Sequence, residues 1–247
     1  MASILRQSEA ALIVGLVLAA IPVAAHAQTP ASCRVPERIN PPRAGSTPDP
    51  DQMRRMKVAG YTLALSWTPQ YCARARDGDS QCDIRNGRFG FVLHGLWPDG
   101  AAKDGRSAGW PQYCAPAAPV NRAVITANFC MMPSVPLMQH QWAKHGTCMA
   151  RSPENYFARA RAKYEKILLP DMAYFARQYR VTAGQIAGAS ARKNPGMGID
   201  MIRVQASDNG MLSEVWICLD ARFRPMRCPA GKAGVSPNAR ISVRADY

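Results

Sequence analysis

The sequence predicts an α+β fold stapled by disulfides. Three observations lead there. Segments with a period of two and segments with a helical period both occur, without the regular strand–helix–strand alternation of a parallel sheet. The 247 residues are 47% apolar, enough for one sizeable core and too much for disorder along the whole length. Eight cysteines follow an export-signal pattern, and an even count in that context reads as a disulfide framework made in an oxidising compartment.

Taken in chain order, residues 1–27 are expected to be a cleaved signal peptide. Arg6 precedes an apolar run from Ala10 to about Ala25, and Ala25-His26-Ala27 is an A-x-A cleavage pattern. The run is short for a membrane span, so the mature protein is expected to be periplasmic or secreted and free of the membrane. Residues 28–57 are rich in Pro, Ser, Arg and Asp and read as an extended arm tied down by Cys33. A single domain is expected over 58–247.

Within that domain, 61–72 ("YTLALSWTPQYC") reads as a strand, because Tyr61, Leu63, Leu65 and Trp67 alternate with Thr62, Ala64 and Ser66. A second strand is expected over 87–100 ("GRFGFVLHGLWPDG"), ended by Gly95 and Pro98, with His94 near its end. Residues 138–145 read as helix. Ser152 and Pro153 predict the cap and first position of another helix, with Tyr156, Phe157, Ala160, Tyr164, Ile167 and Leu168 as its apolar stripe and Pro170 as its interruption. The run "DMAYFARQY" resumes as helix, and Thr182 caps a further one through Ala191. Asp208-Asn209-Gly210 predicts the turn of a β-hairpin in the C-terminal part.

Arg6 and Glu9 cancel, so the mature chain keeps the formal charge of +14. So positive a charge favours polyanionic partners. With His26 in the signal, the mature protein has three histidines, His94, His140 and His145, all in polar-aromatic segments. On a helix, with His140 at 0°, Lys144 falls at about 40°, Gln141 at about 100° and His145 at about 140°. Trp142, at about 200°, is free to anchor the other side in the core. Two imidazoles and an ammonium on one face suit anion binding and proton transfer.

Other chemistries fit less well. His140 and His145 are five apart, with no acid between them, unlike the H-E-x-x-H metal motif. Lys144 would oppose a dication, and no C-x-x-C pair exists, so neither metal nor cofactor is expected. No G-x-S-x-G elbow is present. What remains is a set able to cleave RNA. One histidine takes the proton of the ribose 2′-OH, the other protonates the departing 5′-oxygen, and lysine stabilises charge on the phosphoryl group.

The segments "FVLHGLWPDG" and "HQWAKHGTC" resemble the two active-site segments of the ribonuclease T2 family, acid endoribonucleases of fungi, plants, animals and bacteria. The likeness extends over roughly 58–228, through "LALSWTPQYC", "WPQYC" and "LSEVWICLDARFRPMRC". It implies a central antiparallel sheet with flanking helices, and a monomer acting on single-stranded RNA through a 2′,3′-cyclic phosphate with little base specificity. By resemblance His145 is the general base, His94 the general acid, His140 a phosphate contact and Lys144 the charge stabiliser. Trp97 and Asp99 resemble residues that hold a base. Cys72–Cys82, Cys114–Cys148 and Cys218–Cys228 resemble family pairs, which leaves Cys33 with Cys130. The departure is Gln141, where most members carry Glu. Glutamine keeps the shape and hydrogen bonding but not the charge, which predicts a slower enzyme or, at the extreme, an RNA binder with little turnover.

Overall fold

The structure, a computed structural model, describes residues 33–42, 48–101 and 109–245. The expected signal peptide lies outside them, as do residues 28–32 and 43–47 of the arm. In chain order the elements are β1 (Val58–Trp67), α1 (Thr68–Cys72), β2 (Phe91–Gly100), α2 (Arg122–Asn128), α3 (Val135–Lys144), α4 (Pro153–Tyr164), α5 (Met172–Ala176), β3 (Val181–Thr182), α6 (Ala183–Lys193), β4 (Ile202–Ala206), β5 (Leu212–Asp220) and β6 (Arg240–Ile241). β2, β1, β5 and β4 form one antiparallel sheet in that order, and β3 pairs with β6 in a second, two-stranded one. This is the α+β class. No helix among the described residues is long and apolar enough to cross a membrane.

β1 is the centre. Its odd residues Tyr61, Leu63, Leu65 and Trp67 enter one apolar core with Tyr156, Phe157 and Ile186. Its even residues Thr62 and Ser66 turn to the polar face, where they bond Asp99 and Glu214. The strand stops at Trp67, short of the expected Cys72. Pro69 stands in the first helical turn, and residues 68–72 wind into α1.

β2 runs on through Gly95 and Pro98, which were expected to end it. It is an edge strand, where a proline nitrogen without hydrogen is tolerated. Its outer backbone groups are covered rather than left open for another strand. The Tyr156 hydroxyl donates to Leu96 O at 3.2 Å and accepts from Leu96 N–H, the Tyr164 hydroxyl donates to Phe91 O at 3.0 Å, and Leu93 N–H donates to Met131 O at 2.8 Å.

α3 begins three residues earlier than the periodicity suggests, because Ser134 caps it through Leu137 N–H and Pro136 sits in its first turn. It ends at Lys144, with His145 as its cap residue, and the chain tightens into a 3₁₀ turn over Gly146–Cys148. Gly146 serves close packing rather than a left-handed stop: a Cβ there would overlap Trp142 and Tyr156. α4 stops at Tyr164, before Pro170, and α5 starts at Met172 under an Asp171 cap. Thr182 caps α6 in a capping box with Gln185, and Gly210, at φ +75°, makes the β4–β5 turn.

The disulfides are Cys33–Cys130, Cys72–Cys82, Cys114–Cys148 and Cys218–Cys228. The first fastens the arm, which is also held by Arg34 N–H on Asn86 O and by a buried Ile39. The C-terminal segment returns to the body, where Arg244 O accepts from Trp67 Nε1 at 3.0 Å.

Candidate active site

His94, Trp97, Asp99, His140, Gln141, Lys144 and His145 all line one cleft of about 420 Å³. Two elements supply them: β2 and the C-terminal end of α3. A regular strand would put His94 and Trp97, three residues apart, on opposite faces. A β-bulge removes the conflict. Ala64 pairs with Gly95 and Leu65 with Leu93, so His94 is the extra residue without a partner on β1. The phase shifts by one, and His94, Trp97 and Asp99 open on the same side.

Trp97 is the hub. Its ring lies edge-on to His94 at 5.1 Å and to Trp216 at 5.2 Å, and tilted against His145 at 5.6 Å. Its Nε1–H donates to Gln141 Oε1 at 2.7 Å. Gln141 is 1% exposed and Trp97 half-buried, so this bond is largely shielded from water. The amide therefore sets the angle of the indole between the two imidazoles.

The two histidines differ in surroundings. His94 Nδ1 is 2.6 Å from Glu214 Oε1, which fixes Nδ1 as the donor nitrogen and turns Nε2 to the cleft. Glu214 also accepts from Ser66 Oγ at 2.9 Å and from Trp216 Nε1. Burial alone would raise the Glu214 carboxyl, but the His94 bond and charge, with Trp216 and Ser66, hold it below its usual value. His145 is 6% exposed, and its Nδ1 has no hydrogen-bond partner in the protein. Burial first, then Lys144, His140 and His94, lower its pKa to about 3. His145 is thus an uncharged imidazole at neutral and mildly acidic pH. His140 stands exposed at the rim, and its pKa is also lowered, by desolvation, Lys144 and His94.

The end of α3 is braced from outside. Tyr113 N–H donates to Lys144 O at 2.8 Å, Cys114 N–H donates to Thr147 Oγ1 at 3.1 Å, and the Cys114–Cys148 disulfide closes the same corner. Trp142 points away into the core, against Tyr156. Asp99 is engaged at both oxygens: Oδ2 accepts from Thr62 Oγ1 and Oδ1 from Lys232 Nζ, each at 2.6 Å.

Sequence reasoning passed over Glu214, Trp216 and Lys232. An acid in a mostly apolar strand, two residues from a tryptophan on the same face, was the available signal for the first two. Lys232 carries none, since it sits in a Pro/Gly/Ala loop. Among the described residues no three His, Cys, Asp or Glu converge as a metal-binding group. Beyond Glu214 lies a second depression, lined by Ser66, Gln70, Tyr71, Arg74 and Arg76 among others.

A Ribonuclease T2 family model matches residues 59–228. A probable ribonuclease of Haemophilus influenzae is 31% identical over 188 residues, 72% of this chain and 63% of that protein. A ribonuclease of Aeromonas hydrophila is 35% identical over 96 residues, 39% of this chain and 40% of its own length. The chain thus spans less than two thirds of either relative. Among solved structures, RNase NT in complex with 5′-AMP superposes with a TM-score of 0.61 at 21% identity, over 78% of this chain and 100% of that one. An RNase-related protein from Calystegia sepium gives 0.59 at 20% identity, over 76% and 98%. Both share the fold described above. The family match takes in both histidine segments and three of the four disulfides, and the chain belongs to the Ribonuclease T2 family.

Proposed function

We propose that this protein is an exported endoribonuclease that cleaves single-stranded RNA without a metal ion. The observation that carries the reading is the pairing of two unlike histidines around one indole: His94 held by a carboxylate, His145 buried and uncharged. An uncharged imidazole can accept the proton of a 2′-OH. The freed 2′-oxygen attacks phosphorus, and the bond to the 5′-oxygen breaks. His94 Nε2 gives its proton to that leaving oxygen, and the Glu214 carboxylate faces the ring while it carries positive charge. Lys144 and His140 border the same cleft, where they suit the charge on the non-bridging oxygens. The product is a 2′,3′-cyclic phosphate. Water then opens it to a 3′-phosphate with the two histidines exchanging roles. Trp97 and Trp216 offer faces for base stacking, and Arg74 and Arg76 flank a route for neighbouring phosphates.

The test is cleavage of yeast RNA by purified protein between pH 5 and 8, with EDTA present, and analysis of the new ends. Cyclic and 3′-phosphate ends, unaffected by chelation, are expected. Tight RNA binding with no cleavage at any pH would leave a binding protein instead. Loss of activity in EDTA would overturn the metal-free mechanism.

Gln141 makes a further test. Its carbonyl already holds Trp97, and a carboxylate could hold it equally well, so Gln141→Glu changes chiefly the charge beside His145. A negative charge favours imidazolium, so the acid limb of the kcat/KM profile should move to higher pH. The rate should rise by about 10-fold, in the range of one auxiliary electrostatic group. A fall in rate would show that the site is set for a neutral amide.

A further inference from the structure

Lys232 stands four residues beyond the span that matches the family, yet its side chain lines the cleft. Its Nζ donates to Asp99 Oδ1 at 2.6 Å and lies 5.9 Å from the centre of the Trp216 ring. The side chains of Lys232 and Asp99 are only 11% and 18% exposed, so the pair is largely shielded from solvent. The loop that carries it is tied to the sheet. Ala233 O accepts from Gln205 Nε2 at 2.9 Å, Val235 N–H donates to Val204 O at 3.0 Å, and Lys232 N–H donates to Pro229 O at 3.1 Å. Lys232 is therefore a fixed part of the wall and not a passing surface charge.

The consequence concerns which base the wall accepts. A free carboxylate at Asp99 would accept hydrogen bonds, and so would favour the exocyclic amino groups of adenine and cytosine. Here each oxygen already accepts one hydrogen bond, one from the Thr62 hydroxyl and the other from the Lys232 ammonium, which partly neutralises the carboxylate. An ammonium has three N–H donors and no acceptor. With one spent on Asp99, two remain beside the tryptophans, and they match bases that present a carbonyl oxygen at the purine 6 or pyrimidine 4 position. An amino group at that place meets a donor with a donor.

We propose that Lys232 is a specificity-determining residue, which converts the Asp99 wall from a hydrogen-bond acceptor to a donor, so that the cleft favours guanine and uracil over adenine and cytosine. This replaces the indifference to base that the family likeness implies. It rests on the cleft being an RNA site.

Calorimetric titration of the full protein with 5′-GMP, 5′-UMP, 5′-AMP and 5′-CMP tests the preference without requiring turnover. Oligodeoxynucleotides with one ribonucleotide of each base test it in cleavage. The first two nucleotides should bind about 10-fold tighter than the last two, the scale of one hydrogen bond from a charged donor. Lys232→Met should abolish or invert that ratio by leaving Asp99 open, and Lys232→Arg should keep it. Equal binding of all four nucleotides by the unaltered protein would overturn the assignment, even if Lys232→Met does not fold. So would an unchanged ratio in Lys232→Met with a normal thermal midpoint. A base bias in binding that Lys232→Met removes, without RNA cleavage, upholds Lys232 and removes the ribonuclease reading. Cleavage without any bias does the reverse.

Discussion

His145→Ala should lower kcat/KM on single-stranded RNA by about 10²–10⁴-fold, the usual worth of a positioned general base. The loss should appear in kcat more than in KM, because in the proposed mechanism the ring acts on a proton that moves only in the reaction. Stability should respond differently. His145 Nδ1 has no hydrogen-bond partner in the protein, so truncation breaks no bond there and leaves a small cavity. At pH 7 the variant should be less stable by about 1–3 kcal/mol, in line with other losses of buried side-chain volume.

As the pH falls this difference should shrink. The folded pKa of His145 is about 3 against an ordinary 6.5, so between those values the unfolded chain binds a proton that the folded one does not. Stability conferred by the unprotonated ring is therefore present above pH 6.5 and lost as the pH falls toward 3. The slope is at most about 1.4 kcal/mol per pH unit for one proton. His145→Ala removes that loss. Urea unfolding at pH 7 and pH 4.5 checks it: a gap that widens on acidification would mean that His145 is charged in the folded state. The same lowered pKa keeps His145, the proposed base, unprotonated well below pH 6. The acid limb of kcat/KM should accordingly lie below the normal imidazole range, and a limb near pH 6.5 would move the base role to another group.

Gly95→Ala should be the most damaging single methyl group in the site. A Cβ at Gly95 would overlap both Gln141 Oε1 and Trp97 Nε1, the two atoms of the hydrogen bond that sets the indole. Gln141 is buried and Trp97 is wedged among His94, His145 and Trp216, so neither can step aside without disturbing the histidines. Overpacking of this kind costs about 1–3 kcal/mol. Displacing a positioning group by about 1 Å can cost about 10²-fold in rate. The variant should therefore show a lower thermal midpoint and a kcat/KM reduced by about 10–100-fold. Gly90→Ala is the control, since its Cβ would meet only Trp67, at an ordinary 3.4 Å. A Gly95→Ala protein with normal activity would show that Trp97 is not held in place by Gln141.

The elements were legible wherever the cause is local. Thr182 with Gln185 three residues on, Ser152 before Pro153, and Asn209-Gly210 between two apolar runs each carry their own capping or turn chemistry, and α6, α4 and the β4–β5 hairpin follow. Where the fold departs from a local signal, the surroundings decide. Pro98 is a strand-ending signal by itself but is tolerated on an edge strand, and the period of two over 61–67 does not continue past Pro69, which stands in the first turn of α1. In the site, helical spacing alone placed His140, Gln141, Lys144 and His145 within one arc of about 140°, with the i,i+4 pairs His140–Lys144 and Gln141–His145 as neighbours whatever the helix packs against.

What the sequence by itself determined is the set of reactive groups and their grouping along each element. Only the tertiary structure decided their aim and their environment. The bulge that turns His94 toward Trp97 arises in the register between β1 and β2. Glu214 is 120 residues from His94, and Lys232 is 133 from Asp99. Burial of His145, which keeps it uncharged, depends on Trp97 and the packed end of α3. Register, long-range pairing and desolvation are properties of surfaces in contact. They have no signature in the order of neighbouring residues, because a side chain meets its electrostatic environment only after the chain has closed around it.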